Sequence, residues 1–103
     1  MIDIDPEAAL EILDAREFYD ARRAGLGQAF VAAANDTLDA VDAAPAGFPA
    51  HPFAGTPGVK RALFPPRWPH AFAFIIRAAG PFVLACEHLR RAPFYWAQRL
   101  RRP

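Results

Sequence analysis

The 103-residue sequence predicts an α+β protein with the element order β-α-α-β-β-β, in which an antiparallel sheet carries an α-helical hairpin on one face. Two observations support this. The first half of the chain holds two stretches with apolar residues at helical spacing, separated by a very short connection, and the second half holds three short apolar runs bounded by proline and glycine. The length suits one unit, so we assign residues 1–103 to a single domain.

The first strand and the first helix are predicted from the opening residues. "MIDI" alternates apolar and polar side chains, as a short strand does. Asp5 is a suitable N-cap, and Pro6 suits the first helical position. Gly25 suits the position just after the helix, with Arg22 and Arg23 in the last turn, where cations are favourable.

The second helix places apolar residues on one side and its aspartates largely away from it. The residues on the apolar side are Leu26, Phe30, Ala34, Thr37 and Val41. Pro45 ends the helix. Because the connection between the helices is so short, we expect them to be antiparallel neighbours.

The second half begins with a loop, because "PAGFPAHPFAGTPG" (45–58) places four prolines and three glycines among 14 residues. Three strands are then predicted, "VKRALF", "HAFAFIIR" and "FVLACEHL", and Gly80-Pro81 marks the turn between the last two. Strands joined by hairpins imply an antiparallel sheet. The tail is expected to hold a short helix after Pro93.

The net charge of +1 hides a strong asymmetry along the chain. Residues 1–50 carry ten acidic side chains and three arginines, a net charge of −7, whereas residues 51–103 carry nine basic side chains and one glutamate, a net charge of +8. This split predicts either a basic surface that meets an anionic partner or two halves that attract each other within one fold.

Cysteine usage and the N-terminus indicate a cytoplasmic protein. Cys86 has no internal disulfide partner and lies in an apolar run, which is typical of a buried, inert thiol. We expect no secretory signal, no membrane span and no cofactor. His51, His70 and His88 lack metal-ligand spacing, so no metal site is predicted.

Basic and aromatic residues of the second half are the candidates for target binding. They are Lys60, Arg61, Arg67, Arg90, Arg91, Tyr95 and Trp96. Guanidinium groups bind phosphate and rings stack on unpaired bases, which suits RNA. Such residues also suit metal-free phosphodiester cleavage. Alternatively, Tyr95 and Trp96 close the core, with the arginines stacked on the rings or paired with helix carboxylates.

Three stretches of the sequence resemble the RelE/ParE toxin superfamily of bacterial toxin–antitoxin systems, in particular the ParE-like plasmid stabilisation branch. They are "AREFYDARRAGLGQAF", "VKRALFPPRWPHAFAF" and "VLACEHLRRAPFYWAQR". The resemblance implies a RelE-like fold with the first strand beside the last. It also implies a small cytoplasmic toxin that inhibits growth and forms a hetero-oligomer with a cognate antitoxin.

The resemblance leaves the target open between DNA gyrase, the ribosome with its mRNA, and no target at all in a binding-only relative. If the protein is an mRNA endonuclease, the resemblance implies Arg61, Arg67, Arg90 and Tyr95 as its catalytic residues. For a toxin of a type II pair, we expect an extended antitoxin segment with acidic and apolar residues to cover the edge strand and the basic surface by strand or helix addition.

Overall fold

A computed structural model describes residues 2–53, 55, 57–92 and 94–102. It has two helices and a four-stranded mixed sheet, which confirms the α+β class. The elements are β1 (Asp3–Ile4), α1 (Pro6–Arg22), α2 (Leu26–Ala43), β2 (Lys60–Leu63), β3 (His70–Arg77) and β4 (Gly80–His88). Short 3₁₀ helices cover Pro45–Gly47 and Ala97–Arg101.

The boundaries of the helical hairpin follow from local chemistry. The Asp5 side chain accepts a hydrogen bond from the Glu7 amide at 2.9 Å and so caps α1. The chain turns into α2 at Gly25, whose φ of 85° favours glycine. Just beyond, the Gly27 amide donates to Asp20 Oδ1 at 2.8 Å. These contacts hold the end of α1 against the start of α2.

The sheet has the order β1-β4-β3-β2, and the prediction of a purely antiparallel sheet is wrong. β2, β3 and β4 are antiparallel neighbours, but β1 pairs with β4 in parallel, with Asp3 opposite Phe82 and Ile4 opposite Val83. The physical reason is that hairpin turns set the directions of β2, β3 and β4 only. The helical hairpin separates β1 from them, so no tight turn constrains its direction.

Apolar side chains cover both faces of the sheet. The helical hairpin packs on one face, where Phe30 belongs to the larger core together with Phe72, Phe74 and Val83. On the opposite face the tail packs over Ala73, Leu84 and Ala85, and its Trp96 is fully buried there. Because both faces are covered, β3 and β4 are almost continuously apolar.

The tail contains a 3₁₀ helix, and part of the proline-rich loop pairs with the sheet. The tail forms the 3₁₀ helix Ala97–Arg101, while Pro93, after which the helix was predicted to begin, lies outside the described residues. The loop pairs with the outer edge of β2, since the His51 amide donates to Val59 O at 2.8 Å and the Arg61 amide to Pro49 O at 3.0 Å. Within the described part of the chain, neither helix combines the length and apolar character needed to cross a bilayer.

Candidate functional site: an arginine groove and a tail cluster

A groove of about 530 Å³ opens where the end of α1, the turn into α2, the β2–β3 turn and the end of β4 meet. Its lining residues are Phe18, Tyr19, Arg22, Arg23, Leu26, Arg67, Trp68, Pro69 and His88. We call it the arginine groove. It combines three guanidinium groups with an apolar wall, so it can hold a ligand that is both anionic and apolar.

Two of these arginines are stacked on aromatic rings of the groove. The Arg22 guanidinium lies 4.5 Å from the centre of the Phe18 ring, one helical turn away, and the Arg67 guanidinium lies 4.8 Å from Trp68. Trp68 is buried, and its ring packs edge-on against Phe30 at 5.4 Å. Arg67 is therefore held by a ring that is itself part of the core, whereas Arg22 is held by an exposed ring.

The β2–β3 turn fixes Trp68 and Arg67 at the mouth of the groove. The Trp68 amide donates to Pro65 O at 2.9 Å, and the Phe64 amide donates to His70 O at 3.0 Å. The prolines of "PPRWP" thus shape a tight hairpin that buries Trp68 and leaves Arg67 exposed.

Beside the groove lies a buried histidine. The Tyr19 hydroxyl is 2.9 Å from His70 Nε2, and the His70 and His88 rings are 5.1 Å apart. Burial, with a further contribution from His88, lowers the pKa of His70 to about 4, and burial raises the pKa of Tyr19. Both side chains are therefore neutral at physiological pH. Within the described residues, His70 Nδ1 is buried without a hydrogen-bond partner.

A second group of charged residues joins the tail to α1, and we call it the tail cluster. Its centre is Glu11, which accepts hydrogen bonds from the Tyr95 hydroxyl at 2.7 Å and from Arg99 Nη1 at 3.0 Å. Arg91 lies 3.6 Å from the same carboxylate and stacks on Tyr95, with its guanidinium 3.6 Å from the ring centre. Arg102 pairs with both Asp5 and Glu7. Part of the charge asymmetry is thus neutralised inside the fold.

The chemistry of Tyr95 is constrained by this cluster. Burial and the hydrogen bond to Glu11 raise the pKa of Tyr95 far above its usual range. Its proton is held by a carboxylate that also binds two arginines. A phenol in this state is a poor proton donor to a substrate.

A third buried group fastens the proline-rich loop. His51 Nε2 lies 2.9 Å from the Glu87 carboxylate, which also accepts a hydrogen bond from the Trp96 indole. The Phe53 amide donates to His51 Nδ1 at 3.1 Å, so the ring proton resides on Nε2 and points at Glu87. Both ring nitrogens have a hydrogen-bond partner, which makes His51 an anchor for the loop.

Burial raises the pKa of the Cys86 thiol, as expected for an inert thiol.

The structure does not bring the predicted nuclease residues into one cavity. Arg61 and Tyr95 line a small cavity of about 30 Å³, whereas Arg67 lines the arginine groove. Arg90 is exposed in the turn after β4.

Two of the predicted target-binding residues make contacts within the fold. Lys60 Nζ donates to Phe48 O at 2.8 Å and helps hold the loop on β2. Trp96 is fully buried, so of its two interpretations closure of the core is the one that fits.

Arg22, Arg23 and Phe18 were missed as candidate site residues by sequence reasoning. The arginines were assigned to the end of α1, which is correct for Arg22. The spacing of Phe18 and Arg22, four residues apart on a helix, was the signal that could have identified a cation held over an exposed ring.

No protein-family model matches this chain, and no curated protein matches it as a relative.

Proposed function

We propose that this protein is the toxin of a bacterial type II toxin–antitoxin pair, ParE-like in kind, which acts in the cytoplasm and is neutralised by a cognate antitoxin. One observation carries the proposal. In the tail cluster, Arg91, Arg99 and Arg102 are paired with carboxylates. Three other arginines that were predicted to bind the target form no ion pair with any carboxylate of the described residues, namely Arg61, Arg67 and Arg90. This uncompensated positive charge suits an acidic partner.

The arrangement of elements supports the same proposal. The three stretches that resemble the RelE/ParE superfamily fall on the helical hairpin, on β2 with β3, and on β4 with the tail. β1 lies beside β4, and the hairpin packs on one face of the sheet, as the resemblance implies.

Between the two modes of action, the tail cluster favours a toxin that binds its target without cleaving RNA. An endonuclease would need a proton donor near the cations that hold the scissile phosphate. The Tyr95 hydroxyl is engaged by Glu11, and Arg67 lies in a different cavity. We therefore propose a gyrase-directed or other binding mode, with ribosome-dependent mRNA cleavage as the alternative.

Controlled induction in a bacterial host tests the proposal. Growth is followed with and without co-expression of any short reading frame found directly upstream of this gene. Plasmid supercoiling and mRNA integrity are measured separately in the same cultures. We expect growth arrest with altered supercoiling and intact mRNA, and recovery when the neighbouring product is present.

Two results would count against the proposal. Normal growth at expression levels confirmed by immunoblotting would exclude a toxin and leave the binding-only relative. Growth arrest with mRNA cut at defined ribosome-dependent positions would establish the endonuclease alternative.

A further inference from the structure

We propose that the arginine groove is the docking site for an acidic peptide segment of a partner protein, in which a bulky apolar side chain lies among the carboxylates. This rests on the proposed function, since the antitoxin is the partner that would supply the segment. It goes further by naming the groove and the chemistry of the peptide, and it includes residues of the helical hairpin that the sequence analysis did not select.

The positive charge of the groove favours a ligand that carries carboxylates. Arg22, Arg23 and Arg67 are all exposed, and no carboxylate of the described residues forms an ion pair with them. Stacking of Arg22 on Phe18 and of Arg67 on Trp68 restricts their side chains before any ligand arrives. Pre-organised guanidinium groups lose less entropy when they bind a carboxylate.

The apolar wall of the groove favours a ligand that also has an apolar side chain beside its carboxylates. Phe18 is 53% exposed and presents its ring at the wall of the groove. Leu26 and Pro69 line the same groove. An aromatic or aliphatic side chain placed there would remove the Phe18 ring from water while its acidic neighbours reach the arginines.

A short acidic peptide fits the groove better than a nucleic acid does. The whole chain has a net charge of only +1 and a pI near 8.0, whereas nucleic-acid-binding domains usually carry a broad basic surface. Asp14 lines the adjoining hollow together with Phe18 and Tyr19, so negative charge borders the groove. A long polyanion would be repelled by Asp14, whereas a short acidic segment needs to reach only the part of the groove that carries the arginines.

Strand addition at the sheet edge is the less favourable docking mode. Residues 49–51 already pair with the outer edge of β2, at Val59 and Arg61. Along a β-strand, the backbone groups of every second residue face the same edge. After Val59 and Arg61, the next residue that faces the outer edge is Leu63, which is also the last residue of β2. A single residue offers too little edge for a stable added strand.

Binding of labelled probes to the purified full-length protein tests the inference. The probes are a fluorescein-labelled peptide with a tryptophan among glutamates, the same peptide with glutamine for every glutamate, and a labelled oligouridylate. Anisotropy is measured at about 50 mM and about 300 mM salt, since contacts to exposed charges weaken with ionic strength. We expect the acidic peptide to bind, and the other two probes to bind at least about tenfold more weakly.

Matched variants locate the site. We expect Arg67→Gln and Arg23→Gln to weaken binding of the acidic peptide by about tenfold each, and Phe18→Ser to weaken it without unfolding the protein. Arg101→Gln is the control, because Arg101 is exposed on the tail and does not line the groove. Leu63→Pro removes the amide that an added strand would use.

The inference is wrong if oligouridylate or the glutamine peptide binds as tightly as the acidic peptide. It is also wrong if Leu63→Pro weakens binding of the acidic peptide and Arg67→Gln does not. Its failure is separable from that of the proposed function. Growth arrest that the neighbouring product still relieves in the Arg67→Gln and Arg23→Gln variants would refute the groove alone. Peptide binding without any growth arrest would refute the toxin alone.

Discussion

Arg99 and Glu11 together take the place of a strand neighbour along the edge of β4. β1 ends at Ile4, opposite Val83, and no strand of the described residues pairs with the edge of β4 beyond that point. There Arg99 Nη1 donates to Leu84 O at 2.9 Å and to Glu11 Oε1 at 3.0 Å, and the same carboxylate oxygen accepts from the Cys86 amide at 3.0 Å. An ion pair between the tail and α1 thus satisfies backbone groups that would otherwise be unpaired.

Removal of Arg99 should therefore destabilise the whole fold. Its side chain is 6% exposed and that of Glu11 is 14% exposed, so Arg99→Ala leaves a largely buried carboxylate and the Leu84 carbonyl without their partner. We expect a loss of about 3 kcal/mol in the free energy of unfolding. Urea denaturation measures it, with Arg101→Ala as the control, because that exposed arginine should change stability by less than about 0.5 kcal/mol. Equal effects of the two substitutions would contradict this account.

Gly27 should be intolerant of any side chain because the two helices approach closely there. A Cβ at this position would lie 2.4 Å from the Arg16 carbonyl oxygen, which belongs to the backbone and cannot move freely. We expect Gly27→Ala to destabilise the protein by about 1–3 kcal/mol, although alanine favours helix elsewhere.

Gly47→Ala is the matched control for Gly27→Ala. A Cβ added at Gly47 would meet nothing within 4 Å, and this position has no positive φ. We expect it to be neutral in thermal unfolding. A melting temperature that falls equally in both variants would show that the hairpin is not tightly packed.

The stability of the protein should fall as the pH drops from about 6.5 to about 4 because of His70. Its pKa in the folded protein is about 4, lowered from the ordinary 6.5 by burial and by His88. Between these values the unfolded chain binds a proton that the folded chain does not. Acidification through this window therefore favours unfolding, by on the order of 3 kcal/mol in total, and stability above pH 6.5 is unaffected by this group.

Unfolding midpoints in urea at several pH values measure the effect. His70→Gln retains a hydrogen-bonding group opposite Tyr19 but does not titrate, so its stability should depend less on pH across the same window. Parallel curves for the two proteins would exclude His70 as the cause.

The local elements could be predicted from the sequence because their signals are local. The cap at Asp5, the break at Gly25 and the apolar run of β3 lie where the sequence analysis places them. The turn predicted at Gly80-Pro81 is wrong, because β4 already begins at Gly80 and the turn covers residues 78–79. The direction of β1 could not be predicted, since it depends on pairing with a strand almost eighty residues away in the chain.

The candidate site was harder to predict for the same reason. Arg67 was selected as one of the basic residues of the second half, but its neighbours in the groove, Arg22 and Arg23, come from a distant helix end. Likewise, no local pattern shows that Arg91 meets Glu11 and so is partly neutralised, whereas Arg67 is not. The charge asymmetry of the sequence allowed internal pairing and a free basic surface as alternatives, and the fold contains both.

Tyr95→Phe separates the proposed binding mode from the endonuclease alternative. In the structure the Tyr95 hydroxyl donates to Glu11 at 2.7 Å, so its removal should cost about 1.5 kcal/mol of stability. Because the hydroxyl is engaged within the fold, we expect the variant to arrest growth as the parent does, at a temperature where both are folded. A nuclease that used this phenol as an acid would lose both mRNA cleavage and growth arrest in this variant, with the same loss of stability. Measuring growth, mRNA integrity and the urea midpoint on the same variant decides between them.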